Sequence, residues 1–146
     1  MTNISRVKRN SQTFVDTHFI VALTNERDTH HRAALALADK FEGQPLLTTT
    51  AVLLEIGNAL ARGGKRRAIQ VLDELMASEE LTIVQLSEAL FDRAYGLYRK
   101  HRDKEWGLVD CVSFVVMEEE GIAEALTNDR HFEQAGFKPL LRVPVN

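Results

Sequence analysis

Residues 106–117 read Trp106-Gly107-Leu108-Val109-Asp110-Cys111-Val112-Ser113-Phe114-Val115-Val116-Met117, an apolar run that carries a single carboxylate. The run is long for a buried strand, which remains the alternative, and Gly121 beyond it suits the residue that ends many helices. It therefore predicts a core helix with Asp110 in its first turn. A helix N-terminus offsets only about 0.3–1 kcal/mol of the cost of a buried charge, so a cation or strong donor is expected near Asp110. An acid that merely starts a helix is the plainer explanation.

Composition predicts one globular domain over residues 1–146, with residues 1–12 as a polar N-terminal extension. The chain has 146 residues, of which 45% are hydrophobic and 27% charged. No apolar run is long enough for a membrane span and no signal-peptide pattern is found, so a cytoplasmic protein without membrane contact is expected. Cys111, the only cysteine, is predicted to be a core residue. The net charge of −3 argues mildly against a general nucleic-acid binder.

Strand and helix patterns alternate along the chain. The predicted strands are residues 13–15, 46–49, 81–84, 122–126 and 140–143. The predicted helices are residues 17–23, 29–41, 51–62, 65–77, 87–102 and the opening stretch. Asp28 is predicted to cap the second helix, and Ile69, Leu72 and Met76 are predicted to face inward from the fourth. Alternation of this kind predicts a three-layer α/β/α domain whose central sheet is mostly parallel and has four to five strands.

Four carboxylates fall at the ends of these elements. Asp16 and Asp129 follow predicted strands, Glu55 lies early in the helix after the second strand, and Asp110 begins the core helix. Open parallel sheets bind ligands at the carboxyl ends of their strands, so the four are expected to converge there. Their mutual repulsion calls for a counter-ion, and an all-oxygen site favours Mg²⁺ or Mn²⁺ over zinc. The five histidines show no i, i+4 pair, so zinc binding and histidine catalysis are not predicted.

The stretches that carry these acids resemble the PIN-domain family, and most of all the VapC-type toxins of toxin–antitoxin pairs. The matching motifs are Val15-Asp16-Thr17, Thr49-Thr50-Ala51-Val52-Leu53-Leu54-Glu55, Leu108-Val109-Asp110-Cys111-Val112-Ser113-Phe114 and Leu126-Thr127-Asn128-Asp129-Arg130-His131-Phe132. The resemblance covers residues 13–141. The chain departs from the family's usual pattern in the dozen residues before the first strand and in the Lys104-Glu105-Trp106 lead-in to the core helix.

The resemblance implies a single PIN-like nuclease domain that hydrolyses RNA phosphodiester bonds with Mg²⁺ or Mn²⁺. It places the catalytic, metal-binding quartet on Asp16, Glu55, Asp110 and Asp129. We expect Asp16 and Asp110 to bind the metal directly, and Glu55 and Asp129 to hold a second ion or its waters. The resemblance further implies a VapB-like antitoxin as partner and a homodimer.

Two further sets of residues are candidates for supporting roles. Thr17 and Asn128 are expected to donate hydrogen bonds to a carboxylate or a phosphate. Arg62, Lys65, Arg66 and Arg67 surround a Gly63-Gly64 break and are candidate RNA contacts, although a solvated face explains any one of them equally well. Two bound divalent ions would bring the net charge to about +1, which reduces the objection raised by the acidic composition.

Three other functions are alternatives for a chain of this length and pattern. A phosphoacceptor receiver domain needs an aspartate after its third strand, and Val84-Gln85-Leu86-Ser87 supplies none. A non-catalytic PIN-like interaction module gains nothing from four adjacent acids. An RNA-processing PIN nuclease without an antitoxin stays open, because the sequence of this chain does not distinguish it from a toxin.

Overall fold

A computed structural model describes residues 12–142 of the chain. The predicted extension at residues 1–12 therefore lies outside the described residues, except for Gln12. The strands are β1 Thr13–Val15, β2 Leu46–Thr49, β3 Leu81–Val84, β4 Glu124–Leu126 and β5 Lys138–Pro139. The α-helices are α1 Thr17–Thr24, α2 His31–Lys40, α3 Thr50–Leu60, α4 Lys65–Ala77, α5 Glu88–Lys100, α6 Leu108–Glu120 and α7 Arg130–Gln134. Short 3₁₀ turns occupy Ala61–Gly63 and Leu140–Arg142.

The strands form one parallel sheet in the order β3-β2-β1-β4-β5. The central strand β1 lies between β2 and β4, so that Phe14 stands beside Leu47 on one side and Ala125 on the other. Helices flank this sheet, and the predicted α/β class with a parallel central sheet is confirmed. Among residues 12–142, no helix is long and apolar enough to cross a membrane.

The opening stretch forms α6, which is largely buried as predicted, with Cys111 fully enclosed. The helix begins two residues later than predicted because Gly107 is its extended N-cap, and the Gly107 amide donates to Asp110 Oδ2 at 3.0 Å. It ends at Gly121, whose φ of 70° is the left-handed conformation that glycine adopts without steric cost. Asp110 accordingly lies in the first turn.

The predicted fifth strand at residues 140–143 is wrong over residues 140–142. The strand is Lys138–Pro139, which pairs with Glu124 and Ala125, and the chain then curls into a 3₁₀ turn. The amide of Leu141 donates to the carbonyl of Thr127 at 3.0 Å, just beyond the end of β4. Val143 lies outside the described residues.

Two helix details also differ from the prediction. The helix α2 begins at His31, because Asp28 Oδ1 accepts the His30 amide at 2.8 Å in a turn that precedes the helix. In α4 only Leu72 of the three residues predicted to face inward packs against the core, whereas Ile69 and Met76 are exposed. A Cβ atom at Gly57 of α3 would lie 3.3 Å from Leu72 Cδ1, so the two helices approach closely there. This approach favours the small Ala68, which is buried, and turns Ile69 outward.

Candidate active site

Asp16 is the most buried acid of the site. It follows the central strand β1 directly and is only 3% exposed. Because Val15 is in register with Leu126, the chain segments that leave β1 and β4 are neighbours, and Thr127 Oγ1 donates to Asp16 Oδ2 at 2.7 Å. His18 Nδ1 lies 3.0 Å from the same oxygen. These polar partners offset part of the cost of burying the carboxylate.

Thr127 connects two of the predicted acids. Its buried hydroxyl donates to Asp16 and accepts the backbone amide of Asp129 at 3.1 Å. Thr127 was not among the residues predicted from sequence, although a hydroxyl directly after the buried strand β4 is a signal that indicates such a contact. One side chain thus fixes both the carboxylate that follows β1 and the loop that carries Asp129.

Asp110 and Asp129 lie on either side of a histidine. Asp129 Oδ1 caps α7 by accepting the His131 amide at 2.9 Å. His131 Nδ1 lies 3.0 Å from Asp110 Oδ2 and 3.4 Å from Asp129 Oδ1. One donor atom from each of the three side chains lies within 4.8 Å of the others, which is a separation at which all three could bind one metal ion.

Glu55, on α3, is the fourth acid of the site and the one that is exposed to solvent. Thr17 Oγ1 donates to Glu55 Oε1 at 2.7 Å, so Thr17 contacts a carboxylate as expected. Partial burial of the carboxyl raises the pKa of Glu55, and the charges of Asp16 and Asp110 raise it further against the bond from Thr17. The three acids are therefore close enough to repel one another.

The pKa of Asp110 is also raised, for similar reasons. Burial raises its pKa, and the charges of Asp129 and Asp16 add to the rise, whereas the bonds from Gly107 and His131 oppose it. The charged form of Asp110 is thus unfavourable in the site as it stands. Together with Asp16, Glu55 and Asp129, it forms the carboxylate cluster.

Two histidines, His18 and His131, contact this cluster, which the sequence alone did not indicate. The hydrogen bond to Asp16 raises the pKa of His18 to about 9 against the opposing effect of burial, and the charges of Asp16, Asp129 and Asp110 contribute. Within residues 12–142, no lysine or arginine forms an ion pair with any of the four acids. An i, i+4 pattern does not reveal either histidine. His18 contacts Asp16, which lies two residues before it, and His131 contacts Asp110, which tertiary structure brings close.

The remaining predicted residues lie at different distances from the cluster. Arg62 lines an open pocket that also contains Thr17, His18 and Glu55. The helix α4 begins with Lys65, Arg66 and Arg67, whose side chains are exposed. Arg67 Nη2 donates to the carbonyl of Thr24 at 3.4 Å. Asn128 points elsewhere, with its amide nitrogen 3.0 Å from His30 Nδ1. The expected bond from Asn128 to a carboxylate is not among its described contacts.

The arrangement places carboxylate oxygens and an imidazole nitrogen within 4.8 Å of one another, which suits a divalent cation. Residues 13–138 match the family described as PIN domain. The chain is 32% identical over 126 residues to the 23S rRNA-specific endonuclease VapC20 of Mycobacterium tuberculosis, across 85% of this chain and 94% of that protein.

Solved structures give the same match in three dimensions. The crystal structure of M. tuberculosis VapC20, described as a sarcin–ricin loop cleaving toxin, superposes with a TM-score of 0.77 at 31% identity, covering 86% of this chain and 95% of that chain. VapBC2 from Rickettsia felis, bound to a promoter DNA fragment, gives 0.62 at 18% identity with 88% and 96% covered. FitAcB from Neisseria gonorrhoeae gives 0.60 at 15% identity with 87% and 94% covered. The last two show a shared fold alone.

Proposed function

The chain belongs to the PIN-domain family, and on that premise we propose that it is a divalent-metal-dependent endoribonuclease of the VapC type, the toxin of a toxin–antitoxin pair. The observation that carries the proposal is the carboxylate cluster at the carboxyl edge of a parallel sheet. Its acids have no lysine or arginine paired with them among the described residues. A purely structural protein would gain no stability from such a concentration of like charge.

The cluster fits a divalent cation. Asp16 and Asp110 would hold an ion directly, and Asp129 and Glu55 would bind the same ion, a second ion or its waters. Mg²⁺ or Mn²⁺ suits these oxygen donors. The raised pKa values of Asp110 and Glu55 reflect unfavourable negative charge that a cation would relieve. A divalent ion held by these residues would supply Lewis-acid chemistry, which lowers the pKa of a bound water and offsets charge on a phosphodiester.

The neighbouring side chains hold these acids in place. Thr127 fixes the orientation of the Asp16 carboxylate through its hydroxyl, and Thr17 does the same for Glu55. Glu55 lies on the open side, beside the pocket that Arg62 lines. A carboxylate in that position can accept a proton from water or orient it toward an incoming phosphate.

Cations flank the cluster on two sides. Arg62 lies beside Glu55, and Lys65, Arg66 and Arg67 follow it at the start of α4. In the segment that leads into α6, Arg102 and Lys104 line a polar cleft of about 360 Å³ together with Tyr98, His101, Glu105 and Trp106. RNA crossing the cluster from one basic group to the other would place a phosphate over the acids, where a cation accepts it.

Isolated 23S rRNA and intact ribosomes are the first substrates to test, because the 32% identical relative is named for that RNA. We expect cleavage with Mg²⁺ or Mn²⁺ and none with EDTA. Asp110→Asn should lower the rate at least about a hundredfold while keeping an oxygen to cap Gly107. Mapping of the new 5′ ends locates the cut. Cleavage in EDTA, or wild-type cleavage by folded Asp110→Asn, would contradict the proposed function.

An antitoxin is the proposed partner. Among the described residues, the four acids form no ion pair with a lysine or arginine. A segment of a small co-encoded protein that places such a side chain there would satisfy their charge and occupy the metal position. The complex should form in EDTA and should suppress RNA cleavage. If no co-encoded small protein binds or inhibits the enzyme, the alternative of an RNA-processing nuclease without an antitoxin is favoured.

The proposed toxin acts in the cytoplasm, where its RNA substrates are. It is also proposed to form a homodimer. Leu54 is 67% exposed and forms an apolar groove with Leu86, Phe91 and Val109 beside Glu55. A second copy covering this groove would remove a patch that is unusual on a solvated surface. Light scattering should give the mass of two chains for the wild type and of one chain for Leu54→Lys. A wild-type protein that stays single at all concentrations would rule out pairing.

A further inference from the structure

His131 occupies a place between two acids that the four-carboxylate description of the site does not use. Its Nδ1 lies 3.0 Å from Asp110 Oδ2 and 3.4 Å from Asp129 Oδ1. The three side chains are similarly enclosed, with exposed fractions of 19% for His131, 18% for Asp110 and 15% for Asp129. The imidazole is therefore part of the enclosed cluster and not a solvated neighbour.

The fold holds this histidine firmly. Its backbone amide is bound by Asp129 Oδ1 at 2.9 Å, which fixes the first turn of α7. The next residue, Phe132, is fully buried, and its ring lies 5.0 Å from Phe114 of α6 and 6.2 Å from Phe14 of β1. Because α7 is anchored to both elements, the nitrogen of His131 keeps its position relative to Asp110 and Asp129.

The separations suit ligands of one ion. Adjacent ligands of an octahedral ion with bonds of about 2.1 Å lie about 3 Å apart. The distances from His131 Nδ1 to the two carboxylate oxygens are 3.0 and 3.4 Å, and the donor atoms of the three residues all lie within 4.8 Å of one another. In the neutral tautomer that carries its proton on Nε2, the lone pair of Nδ1 is free to bind a metal ion.

We propose that His131 is a nitrogen ligand of the metal site and makes it select Mn²⁺ over Mg²⁺. The inference rests on the proposed metal-dependent function and deepens it by naming the preferred ion. Mg²⁺ takes oxygen ligands and gains little from an imidazole. Transition-metal ions accept imidazole ligands, and Mn²⁺, although the weakest binder among them, gains more from an imidazole than Mg²⁺ does. The site thus combines hard oxygens, which Mn²⁺ accepts, with one nitrogen that Mg²⁺ does not favour.

His18 provides the matched comparison. Its Nδ1 lies 3.0 Å from Asp16 Oδ2, the same separation that His131 has from Asp110. Its side chain is however 52% exposed, and its hydrogen-bond contact within the cluster is Asp16 alone. A histidine that only balances charge should behave like His18, and one that binds the metal should not.

The test is pulsed electron paramagnetic resonance of Mn²⁺ bound to the wild type, His131→Gln and His18→Gln, together with calorimetric affinities for Mn²⁺ and Mg²⁺. We expect ¹⁴N modulation from a directly bound imidazole in the wild type and in His18→Gln, and its loss in His131→Gln. The ratio of Mn²⁺ to Mg²⁺ affinity should fall at least about tenfold in His131→Gln. The wild-type spectrum tests the proposal even if a variant does not fold.

Absence of ¹⁴N modulation in the wild type, its loss in His18→Gln instead, or an equal loss of affinity for both ions in His131→Gln would overturn the inference. The last result would mean that His131 only orients Asp110. Failure of the proposed function gives a different result. If bound Mn²⁺ shows ¹⁴N modulation but RNA is not cleaved, the assignment of His131 as a ligand holds and the nuclease function does not. RNA cleavage without the modulation leaves the nuclease standing and removes His131 from the metal.

Discussion

Each buried acid of the cluster has a local structural task. Asp110 accepts the Gly107 amide, Asp129 accepts the His131 amide, and Asp16 accepts the Thr127 hydroxyl. A neutral Asn or Ser could perform each of these tasks at similar stability. The tasks therefore explain why a side-chain oxygen is present at each position, but they leave the concentration of negative charge unexplained. A bound cation explains the charge.

The sequence indicated the four acids and Thr17, but not Thr127, His18 or His131 beside them. An acid directly after a buried strand, such as Asp16, is visible as a break in an apolar pattern. The contacts of Thr127 with Asp16 and of His131 with Asp110 join residues that are far apart in sequence, and depend on how β1, β4 and α6 pack. No spacing rule along one element indicates these two pairings, although the place of Thr127 directly after β4 marks it as a candidate.

Thr127 gives a prediction at this scale. Thr127→Val keeps the shape of the side chain but leaves Asp16 Oδ2 without its hydroxyl donor inside the fold. The free energy of unfolding should drop by about 1–3 kcal/mol, and Mn²⁺ affinity should drop about tenfold because Asp16 loses its orientation. Thr127→Ser keeps the hydroxyl and should restore most of both. Urea unfolding and calorimetry measure the two effects, and equal behaviour of the Val and Ser variants would contradict this role.

Elements were predicted best where a chemical feature marks their ends. The helix α6 was recognised from its apolar run and Gly121, and its start was shifted only by the extended Gly107 cap. The strand β5 was misplaced because Leu140 and Leu141 have the composition of a strand, whereas residues 140–142 form a 3₁₀ turn whose Leu141 amide donates to the Thr127 carbonyl. Composition describes what a segment prefers, and the tertiary context overrode that preference here.

Two glycines test this account of helix ends. Gly121 has φ = 70° at the end of α6, so Gly121→Ala should lower the free energy of unfolding by about 1 kcal/mol. Gly96 lies inside α5 with open space around it, so Gly96→Ala should raise the free energy by about 0.5–1 kcal/mol. Urea midpoints of the two variants should move in opposite directions. A shift in the same direction would mean that Gly121 does not depend on its left-handed conformation.

The whole molecule brings the cluster together through its topology. The central place of β1, between β2 and β4, puts Asp16 beside the loop that carries Thr127 and Asp129, and α3 and α6 supply the other two acids. Sequence alternation predicted this class of sheet, but not the strand order on which the convergence depends. The assignment of residues 1–146 to one domain with an extension at 1–12 stays a prediction, which limited proteolysis checks by cleavage confined to the extension.

The central claim is that the cluster is a cation site, and thermal unfolding tests it without any substrate. Burial and neighbouring charges raise the pKa of Asp110, which means that its negative charge is unfavourable in the metal-free fold. Asp110→Asn removes the charge and keeps the cap on Gly107, so in EDTA it should melt at or above the wild-type temperature. Most substitutions of a partly buried polar residue do the opposite.

The deciding measurement is the shift of the melting temperature that millimolar Mn²⁺ produces relative to EDTA. At a hundredfold excess over the dissociation constant, Mn²⁺ should stabilise the wild type by about 2.7 kcal/mol, or about 5–10 °C for a chain of this size. The control variant Asp73→Asn, whose aspartate is exposed on α4, should show the same shift. Asp110→Asn should lose most of it. Equal shifts in Asp110→Asn and the wild type would contradict the account, because the cation would then bind without the acid at its centre.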